Sequence, residues 1–533
     1  MRQRISSVPL DGPGWLRESF VLEDGHGASR SIQHFRLVPA GMHRLERQPV
    51  SDKVPQVGAG VGININGGRQ SETALAVSQS FLFTGVIAFF NDFSVSTINP
   101  LFDGTTYKRG YSIQGWSTTF DYGLSWEYRG QVSPPAGWAT IGADPSVATD
   151  ANQPNVVYAA SLAVSDGAWA TISADNQTTT TYPVPLSDSF CVAKSIDAGV
   201  TFPTANVRCR VVADIIGGHG VDRTSLVVDG LGRVWVAVAD TIGNNADTGV
   251  VRLYREGSST SGGGFVEVPP PVTGVRQQVL RRDLDGNIWL AMLGRPGVPQ
   301  VGLSAIKYDV YADAFGAVMF TPDSACGRQV RLAQDVLIGG PTSIRNAHSY
   351  DFDFGYSEPN SLGAGGGKRV VRFAWELSRT TGSQYVEVAE FNADFSGTCR
   401  VNMNIGSTAF DAGSQFMPAI SYAFRTNSGT PGWWVTYLTS AGVLDNTLPE
   451  VHPEAVQPTT ASHAQPQLTL ITQLAPADWS ACPSSDYWGD YFGLAQLRDP
   501  NGHWWSIAAF TDSRPGPSAC ANGRPQHVAA SRW

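Results

Sequence analysis

Apolar residues in this chain come in short runs broken by Gly, Asn, Asp or Pro, and the runs come in pairs. Gln70-Ser71-Glu72-Thr73-Ala74-Leu75-Ala76-Val77 puts an acid before an apolar stretch, and a second stretch from Phe81 ends at Asn91-Asp92. Ala143-Asp144-Pro145-Ser146-Val147-Ala148-Thr149-Asp150 is followed by Val156-Val157-Tyr158-Ala159-Ala160. Asp222-Arg223-Thr224-Ser225-Leu226-Val227-Val228-Asp229 turns through Gly-Leu-Gly into Val234-Trp235-Val236-Ala237. Val279-Leu280-Arg281-Arg282-Asp283 turns at Asp285-Gly286-Asn287, a strong hairpin signal, into Ile288-Trp289-Leu290-Ala291. A less regular unit covers 368–375 and 385–391, a sixth 416–422 and 433–437, and the last 488–495 and 504–508, closing on Phe510-Thr511-Asp512-Ser513-Arg514.

Each unit reads strand, turn, strand, and no stretch carries a convincing helical period. The units recur roughly every 50 to 80 residues, the range of propeller blades with loop insertions. The pattern predicts an all-β chain forming a single β-propeller over residues 59–533, with seven blades, or six if the irregular fifth unit is an insertion. A pair of β-sandwiches would not require the repetition. Residues 1–58 show no sustained period and read as an irregular N-terminal arm.

Two copies of a tighter motif sit among these strands. Ser195-Ile196-Asp197-Ala198-Gly199-Val200-Thr201-Phe202 repeats the spacing of Thr119-Phe120-Asp121-Tyr122-Gly123-Leu124-Ser125-Trp126. Asp and the small hydroxyls bond their own backbone, Gly permits positive φ, and the terminal aromatic packs beneath the turn. The motif resembles the Asp-box, or BNR repeat, of sialidase-like β-propellers, where such boxes are structural and lie away from the active site. Gln-Ser-Glu before the first strand, Asp-Arg before the third, Trp-Gly-Asp-Tyr near the end and Thr-Asp-Ser-Arg after it extend the resemblance, to exported members of that group, over roughly residues 60–533. The Phe-Arg-Ile-Pro step of true sialidases is missing; Phe35-Arg36-Leu37-Val38-Pro39 is a loose echo outside the repeats. Arg223, Arg369 and Arg514 are candidates for a carboxylate clamp, and Tyr385 with Glu387, or Tyr491, for a nucleophile.

Composition narrows the function. Hydrophobic residues make up 42% and charged residues 16%, with 57 Gly and 33 Pro, which suits many short strands and turns and excludes a disordered or coiled-coil chain. A net charge of -9 argues against a nucleic-acid partner. No apolar run is long enough to span a membrane. The six cysteines, Cys191, Cys209, Cys326, Cys399, Cys482 and Cys520, form no CxxC and suit sequential disulfides in an exported protein, with Cys191–Cys209 bracketing the second box. The expected location is therefore secreted, periplasmic or cell-surface, with the leader absent from this chain.

The starts of the innermost propeller strands should crowd toward one end of the axis. Glu72, Asp222, Asp490, Tyr491 and His219 are the catalytic candidates, and Asp92, Asp144, Arg223, Asp512 and Arg514 the ligand-binding ones. Like charges brought together raise each other's pKa, bind a cation or meet Arg. The alternative is that these groups cap strand ends and bond neighbouring blades. No cofactor is required; the alternating acids Asp351 and Asp353 in Tyr350-Asp351-Phe352-Asp353-Phe354-Gly355 suit Ca²⁺ oxygens. The expected function is recognition of a glycan or another polar extracellular ligand at the channel mouth, with glycoside hydrolysis as the chemistry. The alternatives are a non-catalytic scaffold for a protein partner, and a propeller lyase using His219 and Tyr491 as base and acid.

Overall fold

The computed structural model describes residues 3–9, 15–23, 29–39, 61–62, 70–79, 84–92, 111–112, 114–136, 138–142, 144–165, 187–214, 219–242, 245–257, 264–271, 276–295, 298–330, 336–337, 343–344, 350–357, 368–378, 384–395, 399–405, 415–424, 431–439, 452–456, 493–498, 504–512 and 527–532. Strands β1 (Gln3–Pro9), β2 (Trp15–Glu23) and β3 (Ser29–Pro39) pair antiparallel. The first 58 residues therefore hold regular strands where the absent apolar period suggested irregular chain. Backbone pairing builds the ladder and needs no such period.

The remaining sheets follow one another as antiparallel meanders. The first contains β5 (Gln70–Gln79), β6 (Thr84–Asp92), β8 (Gln114–Thr119) and β9 (Glu127–Gln131). The second contains β11 (Ser146–Thr149), β12 (Val157–Ser165), β13 (Ser187–Ser195) and β14 (Val207–Asp214), with β10 (Trp138–Ile141) and β7 (Tyr111–Ser112) added beside β12. Four-stranded sheets then form from β15 (His219–Val228), β16 (Val234–Ile242), β17 (Asn245–Glu256) and β18 (Phe265–Glu267), and from β19 (Arg276–Arg282), β20 (Ile288–Arg295), β21 (Val298–Asp309) and β22 (Ala314–Phe320). After the small pair β23 (Val336–Leu337) and β24 (Ser343–Ile344) comes a sheet of β25 (Tyr350–Tyr356), β26 (Arg369–Ser378), β27 (Gln384–Asn392) and β28 (Arg400–Ile405). The irregular fifth unit is thus a complete sheet, whose innermost strand is the run with alternating acids. Strands β29 (Gln415–Phe424), β30 (Pro431–Thr439) and β31 (His452–Val456) form the next sheet. The last pairs β32 (Gly493–Arg498), β33 (Trp504–Asp512) and β34 (His527–Arg532) with β4 (Val61–Gly62).

The arrangement is a β-propeller, with five blades established among the described residues against the seven predicted from the repeats. Innermost strands touch in chain order, β5 on β11, then β15, β19, β25, β29 and β32, and β32 returns to β5. Hydrophobic cores lie between the sheets. One joins Phe89 and Trp116 to Phe202, and another joins Trp235 and Leu253 to Leu290 and Tyr308. Hydroxyls fasten several seams near the axis. Ser146 Oγ accepts from Leu226 N and Ser225 Oγ from Leu280 N, both at 2.9 Å, and Thr73 Oγ1 accepts from Gly493 N at 3.1 Å.

The two predicted corners have matching geometry. Asp197 Oδ1 accepts from Ser195 Oγ and Thr201 N, Asp197 Oδ2 accepts from Thr201 Oγ1, and Ala198 and Gly199 both have positive φ. Asp121 makes the same bonds with Thr119 and Ser125, with Tyr122 and Gly123 in the left-handed region. Each corner wedges against the preceding sheet. A Cβ on Gly199 would lie 2.3 Å from Ile87, and one on Gly123 would lie 2.9 Å from Ile507. The predicted Cys191–Cys209 bridge joins directly paired residues of β13 and β14, and Cys326–Cys399 is also bonded. Cys482 and Cys520 lie outside the described residues. No helix among the described residues is long and apolar enough to cross a membrane.

Candidate functional site

Most of the innermost strands are interrupted at the same place. The pairing slips by a residue at Ser71/Thr73 in β5, Asp222/Thr224 in β15, Arg276/Val279 in β19 and Phe416/Ala419 in β29. Between β10 and β11, which share partner strand β12, the break falls around Asp144. At each break one non-glycine residue takes a left-handed backbone: Glu72, Asp144, Arg223, Gln277 and Met417, with φ between 50 and 59°. These are β-bulges, which re-aim a side chain and strip partners from a peptide group. A left-handed non-glycine residue costs on the order of 1–3 kcal/mol and persists only where its surroundings fix it.

Side chains of neighbouring sheets supply the missing partners. Asn91 Oδ1 accepts from Asp144 N at 3.1 Å, and Asp144 Oδ2 accepts from Arg223 N at 2.9 Å. Gln278 Nε2 donates to the carbonyl of Arg223, and the Tyr350 hydroxyl to the carbonyl of Gln277. Glu376 Oε1 accepts from Met417 N at 2.5 Å. The bulges thus form a rim at the end of the sheets where the innermost strands begin.

The first three sheets bring acids together on this rim, as the strand starts predicted. Asn91 Nδ2 donates to Glu72 Oε2 at 2.7 Å, and the Glu72 and Asp144 carboxyl groups are themselves in hydrogen-bonding contact. Both residues are buried, and Asp222 is half-buried. Burial drives the Asp144 pKa well above the usual carboxylate range, and the charges of Glu72 and Asp222 push it further. Burial and the neighbouring acids therefore favour the protonated form of Asp144.

Other predicted residues have different surroundings. Arg223 serves Asp144 through its backbone amide, and its side chain is buried. Asp92 is buried within its own sheet, where its Oδ2 accepts from the Tyr128 hydroxyl at 2.6 Å; the next residue along a strand faces away from its neighbour's partner. Asp351 accepts from Arg281 Nη2 at 2.6 Å and Ile420 N at 3.1 Å, and Asp353 from Phe354 N at 2.9 Å and Tyr422 N at 3.0 Å. Both acids stitch β25 to β29 instead of lining a cation loop, and no group of His, Cys, Asp and Glu among the described residues is placed to hold a metal ion. Arg369 pairs with Tyr356 at the far end of β25 and bonds Asp285 of another turn, so it cannot form a clamp with Arg223. Glu387 is held by Arg328 at 2.9 and 3.1 Å and by Trp375 Nε1 at 3.2 Å. His219 and Asp512 end strands at the rim, but their side chains, like Asp490, Tyr491 and Arg514 entirely, lie outside the described residues. The participation of Asn91, Gln278 and Glu376 is not readable from sequence, because nothing local announces a bond to a neighbouring sheet.

No known sequence family matches this chain, and neither does any curated protein. Solved structures do resemble it. A protein of unknown function from Dyadobacter fermentans is 13% identical, with a TM-score of 0.39, over 75% of this chain and 95% of that one. An alpha-L-arabinanase from Penicillium chrysogenum, complexed with arabinobiose, is 13% identical, with a TM-score of 0.36, over 75% and 98%. A mutant of the NanB sialidase from Streptococcus pneumoniae is 10% identical, with a TM-score of 0.39, over 73% and 69%.

Proposed function

We propose that the bulged rim binds a glycan, and that Asp144 and Asp222 are the acids that flank a glycosidic bond there, because the touching Glu72–Asp144 pair is closer than the roughly 5 to 9.5 Å such hydrolysis needs. The observation that carries this reading is the meeting of Glu72, Asp144 and Asp222 from three successive sheets, where burial and neighbouring charge favour the protonated form of Asp144. General acid–base chemistry needs one carboxyl group protonated and another ionised at the same pH, and unequal environments supply both. The seven sheets whose innermost strands touch in turn are read as seven blades, and the Asp121 and Asp197 corners as Asp-boxes. Two disulfides suit an exported protein. A glycan-array screen followed by mass spectrometry of the bound sugars tests the reading. Asp144→Asn and Asp222→Asn should keep the fold and lose cleavage by a factor on the order of 10² or more. Binding and cleavage unchanged in both variants would sink it.

The scaffold reading has one observation in its favour. Leu124, Ile196, Leu231, Leu284 and Tyr311 are exposed, and each tips a hairpin at the end of the sheets opposite the rim. Large exposed apolar side chains gathered on one surface suit a protein partner. Replacing Leu231 and Tyr311 with Ser should weaken such a partner and leave glycan binding intact.

A further inference from the structure

We propose that the seam between β25 and β29 is a proton-operated joint, in which Glu376 must hold a proton for the β29–β31 sheet to stay seated on the β25–β28 sheet. Three carboxyl groups fasten this seam, where hydroxyls carry most of the fastening elsewhere. Leu226, Leu280 and Gly493 donate their amides to the hydroxyls of Ser146, Ser225 and Thr73. Along β29, Met417, Ile420 and Tyr422 donate theirs to the carboxyl groups of Glu376, Asp351 and Asp353. Asn91 holds the Asp144 bulge with a neutral amide, whereas the Arg223 and Met417 bulges are held by ionisable acids, Asp144 and Glu376.

The register puts these acids on one face. Asp351 is level with Ala374 and Val388, Asp353 with Arg372 and Glu390, and Glu376 with Val386. That face packs on Ile420, Trp433, Val435 and Tyr437. The carboxyl groups of Asp351, Asp353, Glu376 and Glu390 therefore share it with one guanidinium, that of Arg372, which bonds Glu390 at 2.8 Å and lies over the Trp433 ring. Arg281 reaches Asp351 from β19, and the phenols of Tyr422 and Tyr437 face the seam from β29 and β30. Glu376 is buried, and its Oε2 has no hydrogen-bond partner among the described residues. An ionised carboxylate with one donor in an apolar seam is strongly disfavoured. Burial accordingly raises Glu376 to about 8, opposed only by its bond from Met417 N.

The sign follows from linkage. A carboxyl group whose folded pKa is raised holds its full stabilising effect below its unfolded value, 4.5 here, and loses it as the pH rises through about 8. Burial also raises Asp351, and raises Asp353 to about 6, so the neutral variants of Glu376 are what assign a loss above pH 6.5 to that residue. Hydrogen exchange of the intact protein, corrected for the pH dependence of chemical exchange, is the test. Protection of the Met417, Ile420 and Tyr422 amides should fall about tenfold or more from pH 6.5 to pH 8, and that of the Leu280 amide, held by the Ser225 hydroxyl, should hold. Glu376→Gln should abolish the fall, with Glu376→Met as a second neutral variant should the first not fold. A fall of the same size in the neutral variant, an equal fall at Leu280, or no fall in the natural protein would overturn the proposal.

Discussion

At the scale of single residues, the aspartate corners show how a few atoms fix a chain direction. Asp197 gathers two hydroxyls and an amide with one carboxylate, and Gly199 turns the chain where a Cβ would strike Ile87. Gly199→Ala combines a left-handed backbone with that clash and should cost about 3 kcal/mol or more in urea unfolding. Asp197→Ala removes only the capping bonds and should cost about 1–2 kcal/mol. This ordering of the two variants is itself a check, since a purely hydrogen-bonded corner would reverse it. The corners were legible in the sequence because every atom that makes them lies within eight consecutive residues. The rim acids were legible by position, at the starts of strands, but not by partner. Asp92 and Asp222 look alike in sequence, yet one faces Tyr128 inside its sheet and the other adds charge at Asp144.

At the scale of elements, a second kind of aspartate turn joins innermost strands to their neighbours. Asp229 Oδ1 accepts from Leu231 N and Arg233 N, and its Oδ2 accepts from the Trp235 indole at 2.8 Å. Asp283 does the same with Asp285 N, Asn287 N and Trp289 Nε1. One side chain thus sets both the hairpin and the rotamer of the tryptophan that enters the core. Asp229→Ala should destabilise by about 2–3 kcal/mol, more than a surface turn residue, because it leaves a buried indole N–H without its acceptor. Near-UV circular dichroism should register the freed Trp235. The sequence displayed the Asp, Gly and Trp of both turns, but the bond spanning six residues is a property of the closed hairpin. The bonding of the β25 acids was not legible for a related reason. Its alternating acids fit a cation loop locally, and their true partners, Ile420 N and Tyr422 N, lie 69 positions away.

At the scale of the whole molecule, the repeat pattern revealed the architecture but not its closure. β4 is two residues long, preceded by no apolar run, and pairs with β34 through Val61↔Ala530 and Gly62↔Ala529. No local signal marks such a strand, because its role exists only once the last sheet is in place. Deleting residues 1–62 should leave β34 as an open edge. The expected result is a lower melting temperature and concentration-dependent association in sedimentation; an unchanged monomer with unchanged melting would show that this pairing does not close the ring.

The rim carries Glu, Asp, Arg, Gln and Met at one and the same structural position, Glu72, Asp144, Arg223, Gln277 and Met417. Hydrogen bonds from neighbouring side chains fall on the main chain at four of these sites, Asp144, Arg223, Gln277 and Met417, and so leave the identity of the residue there open. At Gln277 and Met417 the scaffold behaves as a socket board, in which the plug can be exchanged without rewiring the hydrogen bonds that hold it. Asp144 is the exception, because its side chain is in turn the holder of Arg223. Variation among proteins built this way would then accumulate at Gln277 and Met417 first, while Asn91, Asp144 and Tyr350 stay as they are.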